Sequence, residues 1–251
     1  MSDVVQKVDV ICLFPQIIES VISCGVTGGA LEKKLLEVKC WNPRDYTEDK
    51  HRTVDDKPYG GGPGMVLMAK PLSATLEQIK DQAKGPSKVI YMSPQGHAVT
   101  QPMLQSVINT QKVILIAGRY EGIDERFIDA EVDEEWSLGD YVLSGGELAA
   151  AVVIDAIARL LPGAVGDSDS IQQDSFMQGL LDYPQYSRPK EFQGRKIPQV
   201  LLSGDHEAIR RWRLQQSLIR TFKRRPDLLQ MYKMNAEEQG LLDEFLANEG
   251  K

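Results

Sequence analysis

The alternation of short apolar runs with helical stretches between Val8 and Leu161 is the feature that most constrains the fold. Runs rich in β-branched residues predict strands, and stretches with apolar residues at helical spacing predict helices. The predicted strands are Val8–Phe14, Glu37–Trp41, Lys88–Met92, Lys112–Ala117 and Tyr141–Leu143. The predicted helices are Gln16–Ser23, Pro71–Lys84, Val99–Thr110 and Glu147–Leu161, with a weaker one at Ile123–Ala130. Strand–helix–strand alternation favours a mainly parallel sheet covered by helices on both faces, so we predict an α/β fold.

The alternation stops after Leu161. The next segment, PGAVGDSDSIQQDS, is rich in Gly, Ser, Asp and Gln and lacks a hydrophobic period, which is typical of a mobile linker. Beyond it the strand signal disappears, and helices are predicted over Asp205–Arg225, capped by Asp205, and over Ala236–Asn248. A chain of 251 residues is long enough for two domains. We therefore predict an α/β domain over 1–163, a linker over 164–176 and a smaller, mainly helical domain over 177–251.

Charge is distributed unevenly along the chain. The formal net charge is −7, from 29 basic and 36 acidic residues, and a uniformly acidic surface would repel RNA or an anionic membrane. However, residues 118–155 hold eleven acids and two bases, whereas residues 183–226 hold eleven bases and three acids. This polarity indicates an anionic partner for the C-terminal half.

The predicted helix 205–225 concentrates part of this basic charge. At 100° per residue, four arginines fall within about 80° of one another, and three apolar residues lie on the opposite side. The arginines are Arg210, Arg213, Arg220 and Arg224, and the apolar residues are Trp212, Ile219 and Phe222. We expect the apolar face to pack and the arginines to lack acidic partners at helical spacing. A surface that contacts phosphates is then the sharper interpretation, and a solvated charged face is the common alternative.

Several classes of protein are disfavoured by the rest of the sequence. Cys12, Cys24 and Cys40 form neither a disulfide framework nor a zinc motif, and we expect them to be small buried side chains. The first apolar run is too short for a signal peptide or a membrane span, so a cytoplasmic protein is expected.

Three glycine-containing segments, 91–96, 118–122 and 137–146, lie at predicted strand ends. Ligands of parallel sheets bind at the carboxyl ends of strands, where glycine lets backbone groups approach a flat ring. We therefore predict a binding site there, although any one segment could simply form a turn. Ser144 and Glu147 also match a capping box for the following helix. The fourth glycine-rich segment, 58–65, fits neither a phosphate loop nor a dinucleotide fingerprint, and is interpreted as a mobile surface loop or a substrate-handling loop.

Long, ordered motifs extend over nearly the whole chain. They are CLFP at 12–15, HRTVDDKPYGGGPGM at 51–65, YMSPQG at 91–96, GRYEGIDER at 118–126, DEEWSLGDYVLSGGEL at 133–148, DSF at 174–176, GLLDYPQYSRP at 179–189 and IRRWRLQQSLIRT at 209–221. Together they resemble the bacterial tRNA (guanine-N1)-methyltransferases of the trefoil-knot (SPOUT) class. The resemblance implies a deep knot in the N-terminal domain and a homodimer whose active site draws on both subunits. It also implies methylation of N1 of guanosine 37, next to the tRNA anticodon.

By this resemblance, the three glycine segments hold S-adenosylmethionine in a bent form, with backbone contacts from Gly118 and residues 138–143. The implied cofactor residues are Tyr91, Met92, Ser93, Pro94, Gln95, Gly96, Gly118, Tyr120, Glu121, Gly122, Ser137, Leu138, Gly139, Asp140, Tyr141, Val142, Leu143, Gly145 and Gly146. The implied tRNA contacts are Asp182, Arg210, Arg213, Arg220 and Arg224. Mg²⁺ would be an addition that needs no dedicated site.

The same resemblance selects two catalytic residues. Guanine N1 carries a proton, so a base must remove it while the charge developing on the neighbouring oxygen is stabilised. Similarity identifies Asp174 as the base and Arg159 as the residue that steadies the guanine oxygen. The ordinary pKa of an aspartate, about 3.9, is low for this task, so Asp174 needs an electrostatic partner. We also expect the segment 163–176 to become ordered only when tRNA binds.

Two positions depart from the family pattern, and two other functions stay open. Ala149 stands where the family usually has Pro, and Gly29 stands where it usually has Arg, which affects the pocket wall and an RNA contact. The first alternative is a knotted methyltransferase that acts on ribosomal RNA. The second is a non-catalytic RNA-binding protein whose glycine segments are structural.

Overall fold

The computed structural model describes residues 5–82, 85–108, 112–166, 171 and 173–249. Contacts divide the chain into two compact units, residues 1–168 and residues 169–251. Part of the predicted linker, 167–170 and 172, lies outside the described residues, as do the last residues of two predicted helices, 83–84 and 109–110.

The first unit contains a five-stranded parallel sheet. Its strands are β1 (Gln6–Ile11), β2 (Leu36–Trp41), β5 (Lys88–Ala98), β6 (Lys112–Ala117) and β7 (Glu134–Ser137). They lie in the order β2-β1-β6-β5-β7, and each neighbouring pair is parallel. A small antiparallel ladder joins β3 (Asp55–Asp56) to β4 (Val66–Leu67). The predicted α/β fold with a parallel sheet is confirmed.

Helices cover both faces of this sheet. They are α1 (Pro15–Ile22), α2 (Gly25–Glu32), α3 (Ala69–Gln82), α4 (Gln101–Ile108), α5 (Glu125–Glu131) and α6 (Glu147–Leu160). Alternate residues of β6 enter two separate cores because side chains of a strand alternate in direction. Val113 and Leu115 pack with α1, α4 and α6, and Ile114 and Ile116 pack with α3 and α5. The continuous apolar run of β6 therefore follows from its burial on both sides.

One predicted strand of the first unit is wrong. Residues 141–143 form no strand, and Tyr141 and Val142 are 55% and 85% exposed. The fifth strand is instead β7, whose two glutamates make its sequence resemble a loop. Glu134 has two partners in the structure: Trp136 donates an indole hydrogen bond to it at 2.7 Å, and Lys88 pairs with it at 2.6 Å. Burial of Trp136 and this neutralisation together explain the strand.

Three other local expectations for this unit are corrected. The capping box is wrong, because Gly146 is the N-cap of α6 and no side chain caps the helix. Helix α2 was not predicted because it contains three glycines, which disfavour helices. One of them, Gly28, allows close packing, since a Cβ there would lie 2.9 Å from the carbonyl oxygen of Ser23. Of the cysteines, Cys12 is buried, but Cys24 is exposed and Cys40 is half-buried.

The second unit is mainly helical. Its helices are α7 (His206–Arg224), α8 (Pro226–Met231) and α9 (Ala236–Glu249), and a short 3-10 helix spans Gln199–Leu202. Leu180, Leu218 and Leu241 form its core. Asp205 caps α7 as predicted, because its carboxylate accepts hydrogen bonds from the N–H groups of Glu207 and Ala208.

The expected absence of strands from the second unit is wrong. A hairpin joins β8 (Glu191–Phe192) to β9 (Arg195–Lys196). Gln193 and Gly194 form its turn with positive φ values of 52° and 76°, which is the geometry of a two-residue type I′ turn. Strands of two residues are too short to show an alternating hydrophobic pattern.

The packing face of α7 is displaced from the predicted one. Its fully buried residues are Ser217, Leu218 and Thr221, whereas Phe222 is 38% exposed. The Thr221 hydroxyl donates to the carbonyl of Ser217 at 2.7 Å and accepts from the N–H of Leu181 at 2.9 Å. Polar side chains whose hydrogen bonds are satisfied internally can be buried, and hydrophobic periodicity does not detect them. Across the described residues, every helix is too short or too polar for a transmembrane span.

Candidate active site

A cavity in the first unit lies where strands β5, β6 and β7 deliver three loops. Segments 118–122 and 138–146 begin where β6 and β7 end. Segment 93–96 leaves the ladder within β5, because Met92 and His97 both pair with Trp136. The cavity is open to solvent, and its empty space, including the open part, is about 870 Å³.

Most of the residues implied as cofactor contacts line this cavity. They are Tyr91, Met92, Ser93, Pro94, Gln95, Gly118, Tyr120, Glu121, Gly122, Ser137, Leu138, Gly139, Tyr141, Val142, Leu143, Gly145 and Gly146. Gly96 and Asp140 do not line it. Four further residues line the cavity: Arg119, Trp136, Ser144 and Ala149. Ala149 was expected in the pocket wall, whereas the other three were not among the implied cofactor residues. Three of the four lie inside the same motifs, so the motif boundaries were the signal that could have found them.

Gly96 is a packing residue of the bulge in β5. A Cβ at this position would lie 2.3 Å from the carbonyl carbon of Glu135 and 2.5 Å from the backbone nitrogen of Trp136. Real Cβ atoms do not approach backbone this closely. Glycine is therefore required where the bulge of β5 packs against β7. This bulge brings residues 93–95 to the cavity.

Tyr91 and two glycines form a closely packed part of the cavity wall. The Tyr91 side chain is buried, and this burial raises the pKa of its phenol to about 12. A Cβ on Gly118 would lie 2.8 Å from the Tyr91 ring, and one on Gly146 would lie 2.7 Å from the Cα of Ala117. The N–H of Gly146 donates to the carbonyl of Gly118 at 2.8 Å. Bare backbone at both positions lets the two loops meet and leaves the cavity open.

Arg119 ties the loop before α6 to the end of β6. Its Nε donates to the carboxylate of Glu147 at 2.8 Å, and its Nη1 donates to the carbonyl of Ser144 at 3.2 Å. Its guanidinium also lies 4.5 Å from the centre of the Phe14 ring. Glu147 is 0% exposed, and its Oε1 has no hydrogen-bond partner within the described part of the chain. The wall of the cavity thus rests on a buried ion pair.

The mouth of the cavity exposes apolar side chains. Tyr120, Tyr141 and Val142 are 49%, 55% and 85% exposed, and all three line the cavity. Tyr120 adopts a positive φ of 62°, which turns the loop after β6 back on itself. Clustered exposed apolar groups of this kind mark surfaces that a ligand or another chain covers.

The glycine-rich segment 58–65 is anchored beside these loops. The N–H of Glu121 donates to the carbonyl of Met65 at 3.0 Å, and the N–H of Leu67 donates to the carbonyl of Gly122 at 3.0 Å. Tyr59 at its tip is fully exposed. The anchoring to 121–122 favours the substrate-handling interpretation over a loop remote from the site.

The two residues implied for catalysis lie in different units. Arg159 occupies the last turn of α6 in the first unit. Asp174 lies in the second unit, where its N–H donates to the carbonyl of Ile171 at 3.2 Å and its own carbonyl accepts from the N–H of Met177 at 3.2 Å.

The arginines implied as tRNA contacts have different environments. The expectation that no acid pairs with them is wrong for Arg210, which pairs with Glu207 at 2.7 Å and with Glu237 of α9 at 2.6 Å. These two carboxylates raise the pKa of Arg210 above its ordinary value.

Arg213 and Arg220 are partly enclosed. The Arg213 guanidinium lies 4.8 Å from the centre of the Tyr183 ring, and its buried Nε has no hydrogen-bond partner among the described residues. Arg220 Nη1 donates to the carbonyl of Asp182 at 3.4 Å. Arg224 is exposed. Of the four, Arg224 is therefore the most accessible to a large anionic partner.

The fold and the cavity define a class of protein first. A parallel α/β sheet with a glycine-lined cavity at its strand ends is typical of a protein that binds a small molecule. The particular family follows from comparison with known proteins. A family model described as tRNA (Guanine-1)-methyltransferase TrmD matches residues 6–231.

Curated relatives agree with this match. Proteins named tRNA (guanine-N(1)-)-methyltransferase from Stutzerimonas stutzeri, Pseudomonas fluorescens and Pseudomonas putida are 58%, 57% and 56% identical to the chain over 240 residues. Each alignment covers 96% of this chain and 96% of the relative. The chain belongs to the tRNA (guanine-N1)-methyltransferase family, and the resemblance implied by its motifs is confirmed.

Proposed function

We propose that the chain transfers a methyl group from S-adenosylmethionine to N1 of guanosine 37 in tRNA. One observation carries this proposal: in a chain that belongs to the tRNA (guanine-N1)-methyltransferase family, three glycine-containing motifs converge on one cavity. The relatives named above carry the activity in their names, and this chain aligns with almost their entire length.

The residues around the cavity fit S-adenosylmethionine. Gly118, Gly139 and Gly145 present backbone without side chains, so their amide and carbonyl groups can approach the edge of an adenine ring. Residues 91–95, 138–139 and 141–143 would enclose the rest of the molecule. When bound there, S-adenosylmethionine supplies a methyl group that its positively charged sulfur already activates. The chain's own residues then have to orient the acceptor and handle its proton.

Asp174 is proposed as the base that takes the proton from guanine N1, and Arg159 as the cation that stabilises charge on the guanine oxygen. Both roles are carried over from the family motifs. They answer the chemical requirement that N1 be deprotonated while negative charge develops next to it.

The second unit is proposed to hold the tRNA and the first unit to hold the methyl donor. Arg213, Arg220 and Arg224 would contact the RNA together with Asp182. Arg210 would contribute less because Glu207 and Glu237 already neutralise it. Since tRNA is the substrate, the cytoplasm is the proposed location. Mg²⁺ would need no dedicated site, and among the described residues no group of three His, Cys, Asp or Glu side chains is placed to hold a metal ion.

The chain is further proposed to work as a homodimer with an active site built from both copies. Leu148 and Val152 lie one turn apart on α6 and are 50% and 52% exposed. Val142, in the loop before α6, is 85% exposed. An apolar strip of this kind in the first unit is suited to burial against a second copy.

The test is methyl transfer from radiolabelled S-adenosylmethionine to an unmodified tRNA transcript that carries guanosine at position 37. An otherwise identical transcript with adenosine there should accept no label. Asp174→Asn should lower the rate by a factor of about 10²–10⁴, as expected for loss of a general base, and leave the donor affinity measured by calorimetry unchanged. Asp169→Asn, five residues earlier in the sequence, provides a carboxylate control that should keep full activity.

Other results would select other functions. Equal labelling of both transcripts would show that the chain is a methyltransferase whose target is a nucleotide other than 37. No labelling and no donor binding by the folded protein would indicate an RNA-binding protein without catalytic activity. Full activity of Asp174→Asn would show that the base is another group.

A further inference from the structure

The β8–β9 hairpin carries a concentration of positive charge around an exposed aromatic ring. Residues 188–196 contain four basic side chains and one acid, Glu191. The four bases are Arg188, Lys190, Arg195 and Lys196. Every residue from 185 to 196 is exposed, and Phe192 is 65% exposed. An aromatic side chain of this size on an exposed hairpin is a feature that the proposed function has not used.

The register of the hairpin sorts these side chains onto two faces. Phe192 pairs with Arg195, and Glu191 pairs with Lys196. Directly opposed residues of an antiparallel pair project from the same face. One face therefore presents a ring beside a guanidinium, and the acid lies on the other face, 3.8 Å from the Lys196 ammonium.

Three of the four bases have no acidic partner among the residues that the structure describes. Within the described parts of the chain, the side chains of Arg188, Lys190 and Arg195 take part in no hydrogen bond or ion pair. Other arginines of this unit differ, because Arg210 pairs with Glu207 and Glu237, and Arg225 pairs with Asp227 at 2.6 Å. A cation already paired with a carboxylate gains less from a phosphate than an unpaired one does. The available positive charge is thus found on the hairpin as well as on α7.

The turn of the hairpin fixes this arrangement. Gln193 and Gly194 both have positive φ, and a two-residue type I′ turn sets the strand register without slack. The backbone consequently places Phe192 and Arg195 on the same face before any partner arrives, which lowers the entropic cost of binding.

We propose that residues 188–196 form an RNA-contact surface, in which Arg188, Lys190 and Arg195 bind phosphates and Phe192 stacks on an unpaired base. The inference rests on the proposed function, because that function makes tRNA the available RNA. Single-stranded nucleotides are bound in this way, by an aromatic ring on which a base stacks and cations that follow the backbone. A membrane surface fits less well, since adsorption needs an extended apolar face and the hairpin tip offers one apolar side chain.

The test measures binding of the full-length protein to the unmodified tRNA transcript over a range of KCl concentrations. Each lost phosphate contact should flatten the plot of log K against log salt concentration by about 0.7–0.9. The triple variant Arg188→Gln/Lys190→Gln/Arg195→Gln should therefore lose about 2–3 from the slope. Phe192→Ala should weaken binding about tenfold and leave the slope unchanged, because stacking displaces no counterions.

A matched control separates local contacts from net charge. Arg225→Gln removes an exposed cation of the same unit that Asp227 already pairs, and it should leave the slope unchanged. An unchanged slope in the triple variant would overturn the proposal. The proposal would also be overturned if Arg225→Gln lowered the salt slope as much per removed charge as the triple variant does. Overall charge would then be enough to explain the salt dependence.

The failure of this proposal is distinguishable from failure of the proposed function. Wild-type protein that neither binds nor methylates the transcript would contradict the function itself. If the wild-type protein methylates the transcript and the triple variant keeps the wild-type salt slope, only the proposed RNA-contact surface on the hairpin would be contradicted. Binding of the wild type to phosphatidylserine vesicles that the triple variant loses, again with an unaltered slope on tRNA, would assign the hairpin to membranes and overturn the proposal. The variants should keep normal donor affinity, since the cavity residues lie in the first unit.

Discussion

Removing Arg119 should destabilise the cavity wall through the carboxylate that it leaves behind. Arg119→Met keeps an unbranched apolar side chain over Phe14 and removes the cation from Glu147. The Glu147 carboxylate is 0% exposed, and one of its oxygens already lacks a partner among the described residues. Breaking a buried ion pair in this way costs about 3–5 kcal/mol. Because the Arg119 side chain is 18% exposed, water can partly replace it, and we expect about 3 kcal/mol.

The reverse substitution should cost less. Glu147→Leu leaves Arg119 without its carboxylate. The guanidinium still reaches solvent, and it keeps its hydrogen bond to the carbonyl of Ser144 and its contact with the ring of Phe14. We expect a loss of about 1–2 kcal/mol. The double variant Arg119→Met/Glu147→Leu replaces the pair by apolar groups, a change that is often close to neutral. The two single losses should therefore not add, and the coupling energy should approach their sum, about 4–5 kcal/mol, less any small cost of the double variant.

Urea unfolding, monitored by circular dichroism, measures these free energies of unfolding. Calorimetry measures the affinity of the cavity for S-adenosylmethionine. The control is Arg126→Met, which breaks the pair with Asp124. The Arg126 side chain is 78% exposed, so the loss should be much smaller than that for Arg119→Met. A coupling energy below about 0.5 kcal/mol would refute the reasoning, because the pair would then not hold the wall. Equal losses for Arg119→Met and Arg126→Met would refute it too.

Four further substitutions test other parts of the structure. Gly96→Ala should greatly weaken donor binding and lower the melting temperature, because its Cβ would lie 2.3 Å from the backbone of β7. Gly29→Ala in α2 is the matched control. A Cβ there has no atom within 4 Å, so this variant should stabilise the protein by up to about 1 kcal/mol. Burial raises the pKa of Tyr91 to about 12. The unfolded chain therefore loses the Tyr91 proton near pH 10, before the folded protein does, and the free energy of unfolding falls by about 3 kcal/mol between pH 10 and pH 12. Tyr91→Phe should abolish this fall, as measured by urea unfolding across that range. Thr221→Val should cost about 1–3 kcal/mol in the same unfolding assay, because it leaves the N–H of Leu181 without its acceptor, and an unchanged midpoint would contradict this.

Continuous apolar runs made the central part of the sheet predictable. Strand β6 is buried on both faces, so its sequence shows the burial directly. Strand β7 was missed because two glutamates make its sequence resemble a loop, and in the structure Glu134 is paired with Lys88 and accepts a hydrogen bond from the indole of Trp136. The pair with Lys88 joins residues that are distant in sequence, and no local pattern encodes it.

The same reasoning separates the predictable part of the site from the rest. Glycines at strand ends indicated the cavity, since only the backbone can approach a ring closely there. The Arg119–Glu147 pair joins residues 28 apart and was not foreseen, and Glu147 was assigned to a capping box instead. The partner of Arg210 three residues before it, Glu207, was visible in the sequence, whereas Glu237 comes from another helix.

The order of the sheet places β2 and β7 at its two edges, and the side chains along them bear on aggregation. An uncovered edge offers unpaired N–H and C=O groups to strands of other molecules. Edge strand β2 carries Glu37, which pairs with Lys7, and Lys39, whose ammonium lies 3.7 Å from the centre of the Trp41 ring. At the other edge, β7 has only four residues and includes Glu134 and Glu135. An incoming strand would have to desolvate these charges, so intermolecular growth of the sheet is disfavoured at both ends.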